Sequence, residues 1–336
     1  MTPCRPLRGC SLPGPHPISV AGRLKSACHA GRGILIVRPP PSAGAKPERR
    51  WGHHPFFAGL FVLFMAILDP IMAKADTPPS RIVSLNLCTD QLLLTLAPRE
   101  RIAGLSFLAA DPSLSALAAE AAGLPLLRGQ AEEVLPLRPD LVLAGQYTAR
   151  PTVALLRAHG IKVVEVGLTA DFTAIRQQIR SVAAALGTVE RGEAVIAAMD
   201  STLDQARPPP GQARLRVLAL APGAFTAGSG TLSDSAMQAA GMENYAATKG
   251  LAGYGYLPLE SIAADPPDLL LMDRDEGQAP SLNGQLLNHP ALTHAVPVTR
   301  RPTVPARLWT CGGPFTAEAV RRLAAARDLL ATERRP

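Results

Sequence analysis

The chain has 336 residues, about two domains' worth, with 47% hydrophobic and 18% charged residues and a formal net charge of +7. Residues 1–75 hold ten Lys/Arg and two Asp/Glu, which leaves the remainder nearly neutral, with 24 basic and 25 acidic residues. The excess charge therefore belongs to the N-terminal segment, and a body without a basic run excludes nucleic acid as a partner.

Residues 1–50 are rich in Pro, Gly and Arg and lack apolar periodicity, a composition that does not fold. Arg49 and Arg50 precede the thirteen-residue apolar run 56–68, and Ala73-Lys74-Ala75 follows it. A positive region, an apolar core and a small-x-small site make up a secretory signal. The core is shorter than the about 20 residues that span a bilayer. Cleavage is expected after Ala75, with a mature start at Asp76. No Cys stands at a lipid-attachment position, so a soluble periplasmic protein is expected. Residues 1–45 are far too long for a signal's charged region, which points to a true start further along the chain.

From Arg81 onward, strand-like runs alternate with helical stretches. Strands are predicted at 81–85, 101–105, 140–144 and 161–166. Helices are predicted at 91–96 behind Thr89 or Asp90, after Asp111-Pro112, at 152–159 and at 172–186. Alternation in this order means a parallel sheet. The stretch 188–207 carries Val189, Val195, Ile196, Met199 and Leu203 at helical spacing, and Pro208-Pro209-Pro210-Gly211 stops it. It reads as one long helix joining two lobes. Past it come a strand at 214–220, a helix capped by Ser233 or Asp234, a short helix at 259–264 and a strand at 268–272. A last strand at 303–308 and a closing helix at 316–331 complete the chain. The expected fold is α/β, with two parallel-sheet lobes joined by one long helix. The expected divisions are a leader 1–75, an N-terminal lobe 80–187, a linking helix 188–207 and a C-terminal lobe 213–331.

One internal repeat supports paired lobes. The segment Glu132–Leu143 lies over Glu260–Leu271 at an offset of 128 with no gap. Each copy reads as a short helix, a Pro-Asp turn and a buried strand.

Motifs of hydrolases, P-loop proteins and zinc proteases are missing. Gly228-Ser229-Gly230-Thr231 approaches a phosphate loop, but Ser233 stands where the third glycine belongs, so a tight turn is the better reading. The histidines of the mature chain, His159, His289 and His294, form no ligand set for a bare ion, since a closed tetrahedral site takes four ligands. No metal site and no cofactor of the protein's own is expected.

The runs Arg81–Leu85, Arg101–Ser106, Glu132–Gly145 and His159–Val163 resemble the first lobe of the helical-backbone solute-binding proteins. This is the cobalamin- and iron-siderophore-binding family of ABC importers. Gly228–Gly241, Leu259–Met272, His289–Leu292 and Trp309–Pro314 resemble its second lobe. The resemblance covers about residues 80–331 and implies a metal chelate, a corrinoid or a ferric siderophore or haem, bound between the lobes. It also implies an ABC permease with its ATPase as partners, and a monomer. The family's paired permease-docking glutamates match Glu132 and Glu260, with Glu133 a competing neighbour.

Loops past the C-terminal ends of parallel strands hold ligands. The candidate binding residues there are Asn86, Cys88, Phe107, Tyr147, Tyr254, Tyr256, Trp309 and Cys311, with aromatic planes suited to a flat ring. Tyr254 and Tyr256 read as part of a flexible loop. Cys88 and Cys311 admit three readings: a bond between lobes, free thiols with one ligating the chelated metal, or small apolar floor residues. The expectation is that both are reduced and near the cleft. A second function class is a cell-envelope α/β enzyme with Cys88, near a helix start, as nucleophile; it lacks a base that the sequence places nearby.

Overall fold

A computed structural model describes residues 77–272 and 286–333. The signal segment and its cleavage site lie outside them. The first sheet has the order β3-β2-β1-β4-β5, built from β1 (Ile82–Ser84), β2 (Ile102–Ser106), β3 (Leu126–Leu127), β4 (Leu141–Gly145) and β5 (Lys162–Val166). All its pairings are parallel. Its central strands β1 and β4 are buried along their whole length, as parallel strands covered on both faces must be. Helices α1 (Leu87–Leu96), α2 (Ala131–Val134), α3 (Arg150–Ala158) and α4 (Phe172–Leu186) connect or follow these strands.

Asn86, rather than Thr89 or Asp90, caps α1, so the helix starts four residues earlier than its apolar pattern suggests. The helix expected after Asp111-Pro112 is a series of turns, because the Asp111 carboxylate accepts from Ser113 N and Oγ. Such a local bond offers the backbone an alternative to helix.

Gly187, at φ 68°, ends α4 in the left-handed conformation. The chain folds back there into α5 (Val189–Gln205). Arg176 pairs with Asp200 and Arg180 with Glu193 across this helical hairpin. The linking helix is therefore α5 alone, about 25 Å long at 1.5 Å per residue.

The second sheet is mixed, not wholly parallel as the sequence suggested. It contains β6 (Arg216–Ala221), β7 (Phe225–Ala227), β8 (Glu243–Asn244), β9 (Tyr254–Tyr256) and β10 (Leu269–Met272). Strands β8 and β10 pair with β6 in parallel, whereas β7 turns back antiparallel to β6 and β9 pairs antiparallel with β7. Tyr254 and Tyr256 thus stand on an edge strand rather than in a loop. Helix α6 (Leu232–Ala239) is capped by Thr231, whose Oγ1 accepts from Asp234 N, not by Ser233 or Asp234. Segment 303–308 is not a strand but an extended run closed by a single 3-10 turn, Ala306–Leu308. Pro302 and Pro305 remove ladder donors there. The lobe is completed by α7 (Tyr245–Thr248), α8 (Leu259–Ala264), α9 (Pro290–Ala295) and α10 (Thr316–Glu333).

The internal repeat is structural. Leu141 opens β4 beside β1 and Leu269 opens β10 beside β6 at the same offset of 128. In the first lobe Asp140 N donates to Arg81 O, its carboxylate accepts from Arg81 N, and the Arg81 guanidinium donates to Leu137 O. In the second, Asp268 N donates to Arg216 O, its carboxylate accepts from Arg216 N, and the Arg216 guanidinium donates to Pro266 O.

One apolar cluster runs through both lobes, from Leu92 and Ile175 through Met199 and Leu203 to Met237 and Val320. At its edge Arg327 of α10 is 2% exposed and donates to the carbonyls of Ala206 and Ala240. These are the C-caps of α5 and α6, and Asp328 balances the charge. Replacing Arg327 with Leu leaves two buried carbonyls without donors and should lower unfolding free energy by about 2–6 kcal/mol, at about 1–3 for each orphaned group. Urea denaturation of the purified variant measures this; a loss below about 0.5 kcal/mol, the range of an ordinary surface substitution, contradicts it.

Candidate functional site

The C-terminal ends of the strands carry the exposed aromatic side chains. Phe107 follows β2 and is 55% exposed, and Tyr147 follows β4 at 76%. On the second sheet Phe225 pairs in register with Tyr256. Residues 254 and 256 share one face by the period of two of a strand. The Phe225 ring stacks on Tyr254 with centroids 6.0 Å apart and meets Tyr256 edge-on at 5.4 Å. Sequence reasoning missed Phe225, although a Pro-Gly turn after the strand at 214–220 sends the chain back at that strand's C-terminal end.

Phe225, Tyr254, Trp309, Ser233 and Thr310 help to line a pocket of about 300 Å³ over the ends of β6 and β10. Its lining among the described residues carries no charged side chain. Trp309 is half-buried against the common core, so it is anchored on one side and presented on the other.

Asn86 serves its helix first: its Oδ1 accepts from Cys88 N at 2.9 Å. Its side chain also lies against Gly145, where an added Cβ would come within 2.8 Å of Asn86 Cγ.

Cys88 and Cys311 form a disulfide with Cα atoms 5.1 Å apart, 223 residues apart in sequence. This overturns the expectation of two reduced thiols. The strict distance requirement is met because the 311–313 loop of the second lobe is pressed into the first. An added Cβ on Gly312 would collide with Thr169 Oγ1 and fall 3.1 Å from Ile175 Cγ1. Any larger residue would have to displace these side chains. Closing so long a loop is worth about 5 kcal/mol in the chain-entropy account. As a disulfide, Cys88 offers no thiolate for nucleophilic attack, and neither sulfur is a free ligand for a metal.

The glycine loop before α6 carries its own anion: Gly230 N donates to the Asp234 carboxylate, which also accepts from Gln238. A bound phosphate would meet that charge. Among the described residues no group of three or more His, Cys, Asp or Glu is arranged to hold a metal ion.

Glu132 and Glu260 are each the second residue of a short helix, α2 and α8. Those helices follow the C-terminal ends of the edge strands β3 and β9. Both glutamates therefore lie at the cleft end of their sheets, near the outer rim, rather than away from the cleft loops. Glu133 is committed to a capping box, accepting from Arg128 N and Gln130 N. Glu132 and Glu260 are exposed and take no side-chain hydrogen bond among the described residues.

Two α/β lobes sharing a linking helix, with exposed aromatic side chains at the strand ends, define a solute-binding architecture. The chain belongs to the periplasmic binding protein family, whose model matches residues 82–305. It is 29% identical over 201 residues to a cobalamin-binding protein of Halobacterium salinarum, covering 58% of this chain and 54% of that one. The chain thus spans about half the length of the curated relatives it matches. Among solved structures it is similar to the periplasmic heme-binding protein RhuT from Roseiflexus sp. RS-1, with 29% identity and a TM-score of 0.62 over 74% of this chain and 97% of that one. The vitamin B12 binding protein BtuF of Vibrio cholerae shares the fold, with 17% identity and a TM-score of 0.55 over 76% and 98% of the two chains. Among the described residues no helix is long and apolar enough to cross a membrane.

Beneath the site, Asp90 of α1 is fully buried and accepts from Ser106 N at 3.1 Å and from Ser106 Oγ. Burial pushes its carboxyl up to about 6, against the opposing hydrogen bonds from Ser106 and Ser84. The folded carboxyl thus holds its proton more tightly than the unfolded one. Its contribution to stability is full below about pH 4 and is lost as pH rises through about 6, a swing of about 3 kcal/mol for two pKa units. The stability difference between Asp90→Asn and wild type, measured by denaturation from pH 4 to 7, should shift in the variant's favour by about that amount. A pH-independent difference contradicts the buried protonation.

Proposed function

We propose that this chain is the exported solute-binding component of an ABC importer and holds a flat, macrocyclic metal chelate, a corrinoid or a haem, in the cleft between its lobes. The observation that carries this reading is the set of exposed aromatic side chains at the strand C-terminal ends, Phe107, Tyr147, Phe225, Tyr254 and Tyr256, beside the half-buried Trp309. Exposed apolar groups gathered at one end of two sheets mark a ligand surface. A flat conjugated ring buries its faces on such side chains. The described lining of the pocket, which carries no charged side chain, suits that ring better than a multiply anionic ferric catecholate, which calls for cations to offset its charge. The heme- and cobalamin-binding proteins that the chain resembles support the same ligand class.

In this reading Asn86, Phe107 and Tyr147 form the first lobe's wall, and Phe225, Tyr254, Tyr256 and Trp309 the second's. Cys88 and Cys311 form the floor as a disulfide, not as metal ligands. The lobes are 80–187 and 213–331, linked by 188–207, behind a leader 1–75 removed after Ala75 on export to the periplasm. The mature chain works as a soluble monomer without enzymatic activity or a cofactor of its own. Glu132 and Glu260 meet arginines of the permease, where opposed charges fix register, and the ATPase drives release.

Purified protein titrated with hemin, cyanocobalamin and a ferric catecholate should bind one of the first two, followed by quenching of tryptophan emission. Trp309→Ala and Tyr254→Ala should each weaken that binding about tenfold, as removal of an aromatic contact worth about 1 kcal/mol plus its buried area implies. Failure of both macrocycles to bind sinks the reading. In cells, the double variant Glu132→Ala and Glu260→Ala should lose uptake while the purified variant keeps its affinity within about twofold, since rim charges act on encounter rather than on the ligand. A comparable fall in ligand affinity counts against docking.

A further inference from the structure

We infer that the Cys88–Cys311 bond is a positioning element of the ligand site, which makes the cleft floor a preformed slot of fixed width rather than a clamp that closes. This rests on the ligand reading above only for the identity of the probe. Four observations converge on it. First, the bond joins two segments that also carry candidate site side chains: Asn86 stands two residues before Cys88, and Trp309 two residues before Cys311. Second, both ends are immobilised by other means. Cys88 lies in the first turn of α1, its N–H held by the Asn86 cap. Cys311 is 2% exposed, and Gly313 N donates to Thr316 Oγ1 at the start of α10.

Third, Gly312 sits against Thr169 and Ile175 of the first lobe with no space for a methyl group, so the seam around the bond is closed by packing as well. Fourth, the apolar core is continuous between the lobes through α4, α5 and α10. The lobes are therefore fastened at two places, by the linking helix and by the floor. A hinge rotation that widened the cleft would have to break the bond or tear the seam. The predicted consequence is that ligand selection is made by slot width and by the aromatic walls, with no closing step.

The test compares wild-type protein purified as exported, the same protein after treatment with dithiothreitol, and Cys88→Ser with Cys311→Ser. Circular dichroism and thermal melting establish that each is folded; the reduced wild type serves if the variant is not. Small-angle X-ray scattering and amide hydrogen exchange are measured without ligand, and hemin and cyanocobalamin are then titrated. The expected result is an unchanged radius of gyration in wild type on adding the bound probe. Without the bond, the ligand-free radius should be larger and exchange faster in residues 86–90, 167–171 and 309–313. Probe affinity should also fall about tenfold, as for a floor that is competent about a tenth of the time.

Contraction of wild type on binding overturns the inference, because the clamp then moves despite the bond. So does an unbonded protein whose scattering, exchange and affinity all match wild type, because the bond then acts on stability alone. If neither probe binds wild type, the ligand reading fails, while the ligand-free scattering and exchange still decide whether the bond holds the floor.

Discussion

In each lobe one pair of parallel strands, β1 with β4 and β6 with β10, starts from one contact, a carboxylate that accepts the backbone N–H at the head of the neighbouring strand. Asp140 does this for Arg81 and Asp268 for Arg216, and each aspartate returns its own N–H to the same residue's carbonyl. A charge-assisted bond of this kind is stronger and more directional than the ladder bonds beyond it. It fixes Ile82 against Leu141 and Val217 against Leu269. A slip of one residue would turn each buried face toward the opposite side. Register also decides where each strand ends. The positions of Asn86, Phe107, Tyr147 and Phe225 all follow from it, since each begins or closely follows the exit from a strand whose start is set at the far end.

The lobes built on those two contacts are unequal. The first is a wholly parallel sheet with its polar and aromatic loops at one end. The second turns back on itself at Pro222-Gly223, so a hairpin and an edge strand supply a compact aromatic wall of Phe225, Tyr254 and Tyr256. Arg327 joins this lobe to the linking helix by capping two helices at once, which couples the back of the molecule to its core. The Cys88–Cys311 bond and the Gly312 contact couple the front.

Much of this was legible in the residues. Continuous apolar runs such as Leu141–Ala144 and Leu269–Met272 announce buried parallel strands, because only a strand covered on both faces tolerates them. The 128-residue offset identified the two copies of the helix–turn–strand unit, whereas Glu132 and Glu260 at their heads were singled out by the family resemblance. The family resemblance followed from order and spacing. Short or proline-broken elements were misread: Phe225–Ala227 is too short to show a period, and 303–308 has an apolar run whose prolines forbid a ladder. The early start of α1 was missed because a cap depends on one side-chain oxygen, not on a pattern.

By itself, then, the sequence determined the α/β class, the paired units and the starts of the strands within those units. These depend on local periodicity and on contacts within a single repeat. Whether Cys88 and Cys311 meet, which glutamate of Glu132 and Glu133 stays free, and which faces Phe225 and Tyr254 share were decided only by the tertiary structure. Each of those depends on the separation of atoms from distant segments. A bond that needs Cα atoms within about 7 Å is set by how the lobes pack at Gly312 and Thr169, and that packing has no signature along the chain.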